Sequence, residues 1–193
     1  MKIPVLILAG GQGSRMGYRN KAELLIREQT FLEKILHEFQ EEQCYISTRP
    51  SYTPEISGVN LIIDKNENRG PMEGILQAFT QTSHEAFFVI GCDMPFMTKE
   101  VYQVLCSYFE PPKGVIVQGN KRRFTLGAIY TREMMKEMTA KIKEKDYRLK
   151  SLFHKENSKI LTQDQIDIDF QCFTNINFEE EYQQLIKNNG GFT

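Results

Sequence analysis

The sequence predicts a three-layer α/β fold, a mostly parallel sheet with helices on both faces. Short apolar runs alternate with longer stretches whose apolar residues recur every three or four positions, as strands joined by crossover helices do. The short runs are apolar throughout, as strands covered on both faces require. Several end at Gly or Asp, at the strand ends where open parallel sheets take their ligands.

Residues 3–8 form the first strand, apolar up to Leu8-Ala9-Gly10. Phe31, Leu32, Ile35, Leu36 and Phe39 then recur at helical spacing. Residues 44–48 and 61–63 read as the next two strands, the latter ending at Asp64. Gly70-Pro71 leads into a helix marked by Met72, Ile75, Leu76 and Phe79, with proline suited to the first helical position. Residues 86–90 are the strongest central-strand candidate and end at Gly91-Cys92-Asp93. Thr98 suits the cap of a helix through Tyr108. Residues 115–118 and 126–130 read as strands around a polar turn over 119–123, and Thr131-Arg132-Glu133 opens a Met-rich helix to about Lys145. The stretch 119–169 is the most irregular. Residues 178–187 close the chain as a helix, with Asn177 as N-cap and Glu180 as its capping-box partner, before a frayed tail over 188–193.

A chain of 193 residues, 40% hydrophobic and 25% charged, suits one soluble domain over residues 1–193. A formal net charge of −1 gives no reason to expect nucleic acid or an anionic membrane as partner, and no apolar run approaches the ~20 residues of a membrane span. The first residues enter a strand without the regions of a signal peptide. Cys44, Cys92, Cys106 and Cys172 form no Cys-x-x-Cys pair, so reduced thiols and a cytoplasmic location are expected. His37, His84 and His154 show no zinc spacing. A monomer without a structural metal is the expectation.

Chemistry concentrates in Leu8-Ala9-Gly10-Gly11-Gln12-Gly13-Ser14-Arg15-Met16-Gly17, with Lys21 just beyond. Glycines let several backbone N–H groups approach an anion. Arg15 can fork onto two phosphate oxygens, whereas Lys21 acts as a mobile point charge. The spacing is not that of a P-loop, since no glycine is followed by lysine and a hydroxyl residue. It misses the dinucleotide fingerprint as well, because Met16 stands where the third glycine belongs.

Asp93 leaves a buried strand before a proline-stiffened turn, a good place from which to hold Mg²⁺ beside phosphate oxygens. Asp64 either contacts a nucleoside or acceptor or caps a turn. Gly70-Pro71-Met72-Glu73-Gly74 opens a helix whose N-terminus suits an anion or the polar edge of a base, or serves as a rigid junction. Asn175 is not needed for capping, which leaves its amide free for substrate. Lys121, Arg122 and Arg123 read more simply as a solvated hairpin tip than as a phosphate contact.

The pattern from Leu8 to Lys21 resembles the signature loop of nucleotidyltransferases of the nucleotide-diphospho-sugar transferase type, a Rossmann-like fold. Together with Gly70-Pro71-Met72-x-Gly74, Cys92-Asp93-Met94-Pro95-Phe96 and Asn175-Ile176-Asn177, it resembles the molybdenum cofactor guanylyltransferases over nearly the whole chain. The resemblance implies transfer of GMP from Mg-GTP to molybdopterin carrying molybdenum, giving molybdopterin guanine dinucleotide and pyrophosphate. It implies GTP binding by Leu8, Ala9, Gly10, Lys21, Asp64 and Asp93, with Gly11 in the same loop and Asp93 also holding Mg²⁺. Arg15, Lys21 and Asp93 are the expected catalytic groups, and Asn175 and Asn177 the expected acceptor-binding ones. Transient contact with cofactor-insertion proteins or molybdoenzymes would follow. The chain departs from the family's pattern at Arg123-Phe124 (usually His-Pro), at Phe178-Glu179 (usually Thr-Pro) and at Ser47 (often Asn). A cytidylyltransferase acting on molybdopterin or another small phosphorylated acceptor is the alternative.

Overall fold

A computed structural model describes residues 2–11, 20–66, 69–120 and 122–188. The strands are β1 (Val5–Leu8), β2 (Leu25–Ile26), β3 (Gln29–Thr30), β4 (Cys44–Thr48), β5 (Asn60–Ile63), β6 (Ala86–Gly91), β7 (Gly114–Gln118), β8 (Arg123–Thr131) and β9 (Ser158–Thr162). The helices are α1 (Phe31–Glu38), α2 (Pro71–Gln81), α3 (Lys99–Ser107), α4 (Met135–Lys143) and α5 (Glu179–Lys187). Seven strands form one sheet in the order β5-β4-β1-β6-β8-β7-β9, while β2 and β3 pair apart as a small antiparallel ribbon. All pairings of the large sheet are parallel except those of β8, which runs against both β6 and β7.

Alternate residues of one strand feed opposite layers. Phe88 and Ile90 of β6 pack with Leu32 and Ile35 of α1 and Val101 and Leu105 of α3. Phe87 and Val89 pack on the other face with Met72, Ile75 and Phe79 of α2 and Met138 of α4. This is the expected three-layer Rossmann-like arrangement, with β6 buried at every position. A third cluster joins Leu24 and Ile26, Phe31 of α1, and Tyr182 and Leu185 of α5. It clamps the last helix against the segment that follows the glycine loop. All four cysteines are free, and among the described residues no helix is long and apolar enough to cross a membrane.

Several sequence expectations change. Residues 158–162, inside the stretch read as irregular, form β9, which pairs in parallel with β7. Arg123 belongs to β8 rather than to the turn before it. The last helix is capped differently from the reading of Asn177 and Glu180. Phe178 holds the cap position, and Glu181 turns back to accept from the N–H groups of Asn177 (2.7 Å) and Phe178 (3.1 Å). Glu181 is the third residue of this helix and so lies in its first turn, while Tyr182 and Leu185 bury against the third cluster. The tail beyond 188, Lys121 and the loop residues 12–19 lie outside the described residues.

Candidate active site

From β1 the chain builds outward to β4 and β5, then returns to add β6 on the other side of β1. Such a reversal opens a crevice at the carboxyl ends of the strands. Here the ends of four strands are laced together. Ala9 N–H donates to the Ser47 carbonyl (2.8 Å), Asp64 N–H to the Thr48 carbonyl (2.8 Å) and Cys92 N–H to the Leu8 carbonyl (3.0 Å). Leu8, Ala9, Gly10 and Gly11 therefore stand between Asp64 and Asp93. Arg15, read from sequence as a phosphate fork, lies outside the described residues.

On the β6 side, Lys21 Nζ donates to Asp93 Oδ2 at 3.0 Å and to Asn177 Oδ1 at 2.7 Å. Asn175 Nδ2 donates to Asp93 Oδ1 at 3.3 Å, and Ile176 N–H donates to the Asp93 carbonyl at 2.9 Å. Four residues drawn from three distant segments thus form one polar cluster. Its central pair is neither sealed nor free in water, with side chains 18% and 17% exposed for Lys21 and Asp93. Local chemistry aims each member. Asn20 caps the short turn Lys21–Glu23 by accepting from Ala22 N–H, and the backbone tie to Ile176 holds the Asn175-Ile176-Asn177 strip beside Asp93. Gly91 has no room for a side chain, because a Cβ there would collide with the Asp93 carboxylate folded back over it.

The β5 side is more deeply buried. Asp64 is 7% exposed and accepts from Ser47 Oγ at 2.7 Å. Burial pushes its pKa up to about 6, against the opposing pull of the Ser47 hydrogen bond, and the nearby Glu73 charge raises it further. A Cβ on Gly10 would lie 2.7 Å from Asp64 Oδ2, so glycine is what lets this carboxylate approach the loop. Gly74 of α2 faces Ser47 Oγ and Leu8 in the same way. Glu73 beside it is fully buried and accepts from Asn66 (3.1 Å), Arg69 (3.3 Å) and Gln77 (3.0 Å).

The donor set suits a magnesium ion shared with a substrate. Among the described residues no three His, Cys, Asp or Glu side chains gather as a metal cage. Asp93 is the single carboxylate of the Lys21 cluster, and each of its oxygens accepts one hydrogen bond, leaving lone pairs free. Magnesium commonly takes one or two protein carboxylates and completes its shell with waters and phosphate oxygens. The residues present fit that habit.

All the described expected site residues stand at this end of the sheet. Asn177 is there as a partner of Lys21 rather than as a helix cap, and Asn175 is engaged with Asp93 rather than free. The basic hairpin splits. Arg123 is a structural tie, donating to Gln118 Oε1 and the Phe153 carbonyl, while Arg122 stacks over the Phe124 ring. Sequence reasoning missed buried Glu73, whose only signal is a charge inside an apolar helical stripe. A separate hollow of about 530 Å³, lined by Tyr45, Asn60, Gln81 and His84 among others, opens at the amino ends of the strands. None of the expected site residues lines it.

A crevice at a strand-order reversal, flanked by a glycine loop and a Lys–Asp pair, defines a nucleotide-handling α/β protein, and the comparisons make the class specific. The model of the MobA-like NTP transferase domain matches residues 5–160, and the chain belongs to that family of nucleotidyltransferases. A probable molybdenum cofactor guanylyltransferase of Clostridium perfringens is 31% identical over 194 residues, covering 97% of this chain and 98% of the relative. Another so named, from Halalkalibacterium halodurans, is 30% identical over 93% of this chain and 95% of its own length. The solved molybdopterin-guanine dinucleotide biosynthesis protein A of Archaeoglobus fulgidus superposes with a TM-score of 0.80 at 20% identity, covering 96% of this chain and 98% of that one. The Thermus thermophilus 2-C-methyl-D-erythritol 4-phosphate cytidylyltransferase shares the fold at a TM-score of 0.69 and 13% identity, over 98% of this chain and 99% of its own.

Proposed function

We propose that this protein transfers GMP from GTP to the terminal phosphate of molybdenum-bearing molybdopterin. The observation that carries the reading is the Lys21–Asp93–Asn175–Asn177 cluster at the strand-order reversal, and the names of its relatives supply the substrates. A phosphate oxygen of the acceptor attacks the α-phosphorus of GTP in line. A new P–O bond forms, the bond from the α-phosphorus to the bridging oxygen breaks, and pyrophosphate leaves with that oxygen. An anionic nucleophile needs no base, so the protein's work is positioning and charge neutralisation. Lys21 turns from its carboxylate partner to the phosphates and offsets the charge gathering on pyrophosphate. Asn177, released by that turn, and Asn175 offer amides to the acceptor. Magnesium held by Asp93 would draw electron density from phosphate oxygens.

Thermal-shift titration with GTP, CTP, ATP and UTP, each with and without Mg²⁺, tests the base and metal together, since a ligand of the folded state raises the melting temperature by mass action. The expected result is a selective, Mg²⁺-dependent shift with GTP. A selective shift with CTP would replace the guanylyl reading by a cytidylyl one.

A further inference from the structure

We propose that Arg49 reads the guanine base of the nucleotide, with its side-on N–H pair donating to O6 and N7. The inference rests on the GTP reading above and names the residue that selects the base.

Ser47 and Thr48 end β4 and Arg49 follows it, and the first two side chains are satisfied. Ser47 Oγ donates to Asp64 and Thr48 Oγ1 donates to the Tyr52 carbonyl at 2.6 Å. Arg49 is the exception, because its Nε is buried and has no hydrogen-bond partner among the described residues. A buried donor without a partner is rare in a finished structure and calls for an explanation. The other such group, the Thr131 hydroxyl, sits where β8 pairs with the start of β6, at the far end of the sheet. Arg49 sits at the crevice, with its backbone nitrogen 3.6 Å from where a Cβ on Gly10 would be. Ser47, two residues earlier, faces Asp64 and the start of α2.

Position separates it from the phosphates. Lys21 and Asp93 lie on the β6 side of β1, and Arg49 on the β4 side. A nucleotide with its phosphates at the first pair extends its nucleoside across β1 toward the second. Chemistry then chooses the base. Guanidinium is donor-only, and its parallel N–H groups match the adjacent O6 and N7 acceptors of guanine. Adenine sets an amino group where O6 would be and opposes donor with donor.

The test uses the full chain and its Arg49→Ala variant, measuring binding of Mg²⁺ complexes of GTP, ITP, 7-deaza-GTP, ATP and CTP by calorimetry. ITP keeps O6 and N7, whereas 7-deaza-GTP lacks N7. The variant is expected to lose roughly tenfold to a hundredfold in affinity for GTP and ITP, with ATP and CTP unchanged. The wild type should bind 7-deaza-GTP more weakly than GTP, and the variant should bind both alike. Its ligand-free melting temperature should not fall, since Nε holds no hydrogen bond among the described residues. An equal loss for every nucleotide would make Arg49 a phosphate contact and overturn the proposal, as would retained GTP selectivity. In both cases a GTP-selective wild type leaves the guanylyl reading standing. A wild type without preference for GTP overturns both.

Discussion

Asp93 is the residue on which the site turns. It joins Lys21, Asn175 and the backbone of Ile176, and in the proposed reaction it is the carboxylate that would meet a metal–phosphate complex. Replacing it with Ala leaves Lys21 bound to Asn177 and keeps the backbone tie to Ile176, so the fold should persist. Turnover should fall on the order of 10²–10³, as when a single charge-stabilising group is removed. Pyrophosphate release at the wild-type rate would take Asp93 out of the mechanism. The types of residue at this site were legible in the sequence, because the carboxylates end apolar runs, Lys21 follows the glycine loop and the amides precede the last helix. Their pairing was not, because Lys21 and Asn177 are 156 positions apart and only the folded sheet brings them together. Ser47 and Glu73 were less legible still, since a buried polar partner leaves no periodic trace.

Among the elements, the strongly apolar or strongly periodic ones were readable and the short ones were not. β1, β6 and α2 announced themselves by composition. β9 reads Ser-Lys-Ile-Leu-Thr, too short and too mixed to separate from loop, and it is a strand because β7 offers it an edge. The β2–β3 ribbon turns through Arg27 at φ 56°, where glycine would have signalled the turn. β8 carries a feature of the opposite kind. Gly127 sits at φ 71°, and a Cβ there would come within 2.7 Å of both Met97 and Phe173. The register of β7 against β8 shifts in this region. Gly127→Ala meets left-handed backbone and a filled space at once, so a loss of about 2–4 kcal/mol is expected in denaturant unfolding. A loss below about 0.5 kcal/mol, the level of a bland surface change, would show that the strand has no need of this kink.

For the molecule as a whole, the order of the strands determines where function sits, and sequence revealed the strand ends without their order. Local patterns say which residues are extended, whereas order depends on which hydrophobic faces find each other across the chain. The sheet also bears a cost that the site imposes. Asp64 is nearly sealed from solvent and its pKa is raised from 3.8 to about 6. A raised folded-state value favours the folded protein fully below the unfolded value, and that advantage disappears as pH rises through about 6. At neutral pH the ionised carboxylate therefore weighs against the fold by roughly 2–3 kcal/mol. Asp64→Asn keeps an acceptor for Ser47 without the charge. Its melting temperature should exceed the parent's above pH 6.5 and converge with it below pH 4. A difference constant across pH would mean that ionisation of Asp64 has no part in it.

The bond from Lys21 to Asn177 also has a temporal meaning. A ribosome delivers the glycine loop and its lysine first and the Asn175-Ile176-Asn177 strip more than 150 residues later. The central strands can pair while the chain is still being made, but the Lys21 cluster proposed as the reaction centre cannot. If that cluster carries the reaction, each newly made copy stays catalytically silent until its Asn175-Ile176-Asn177 strip has arrived.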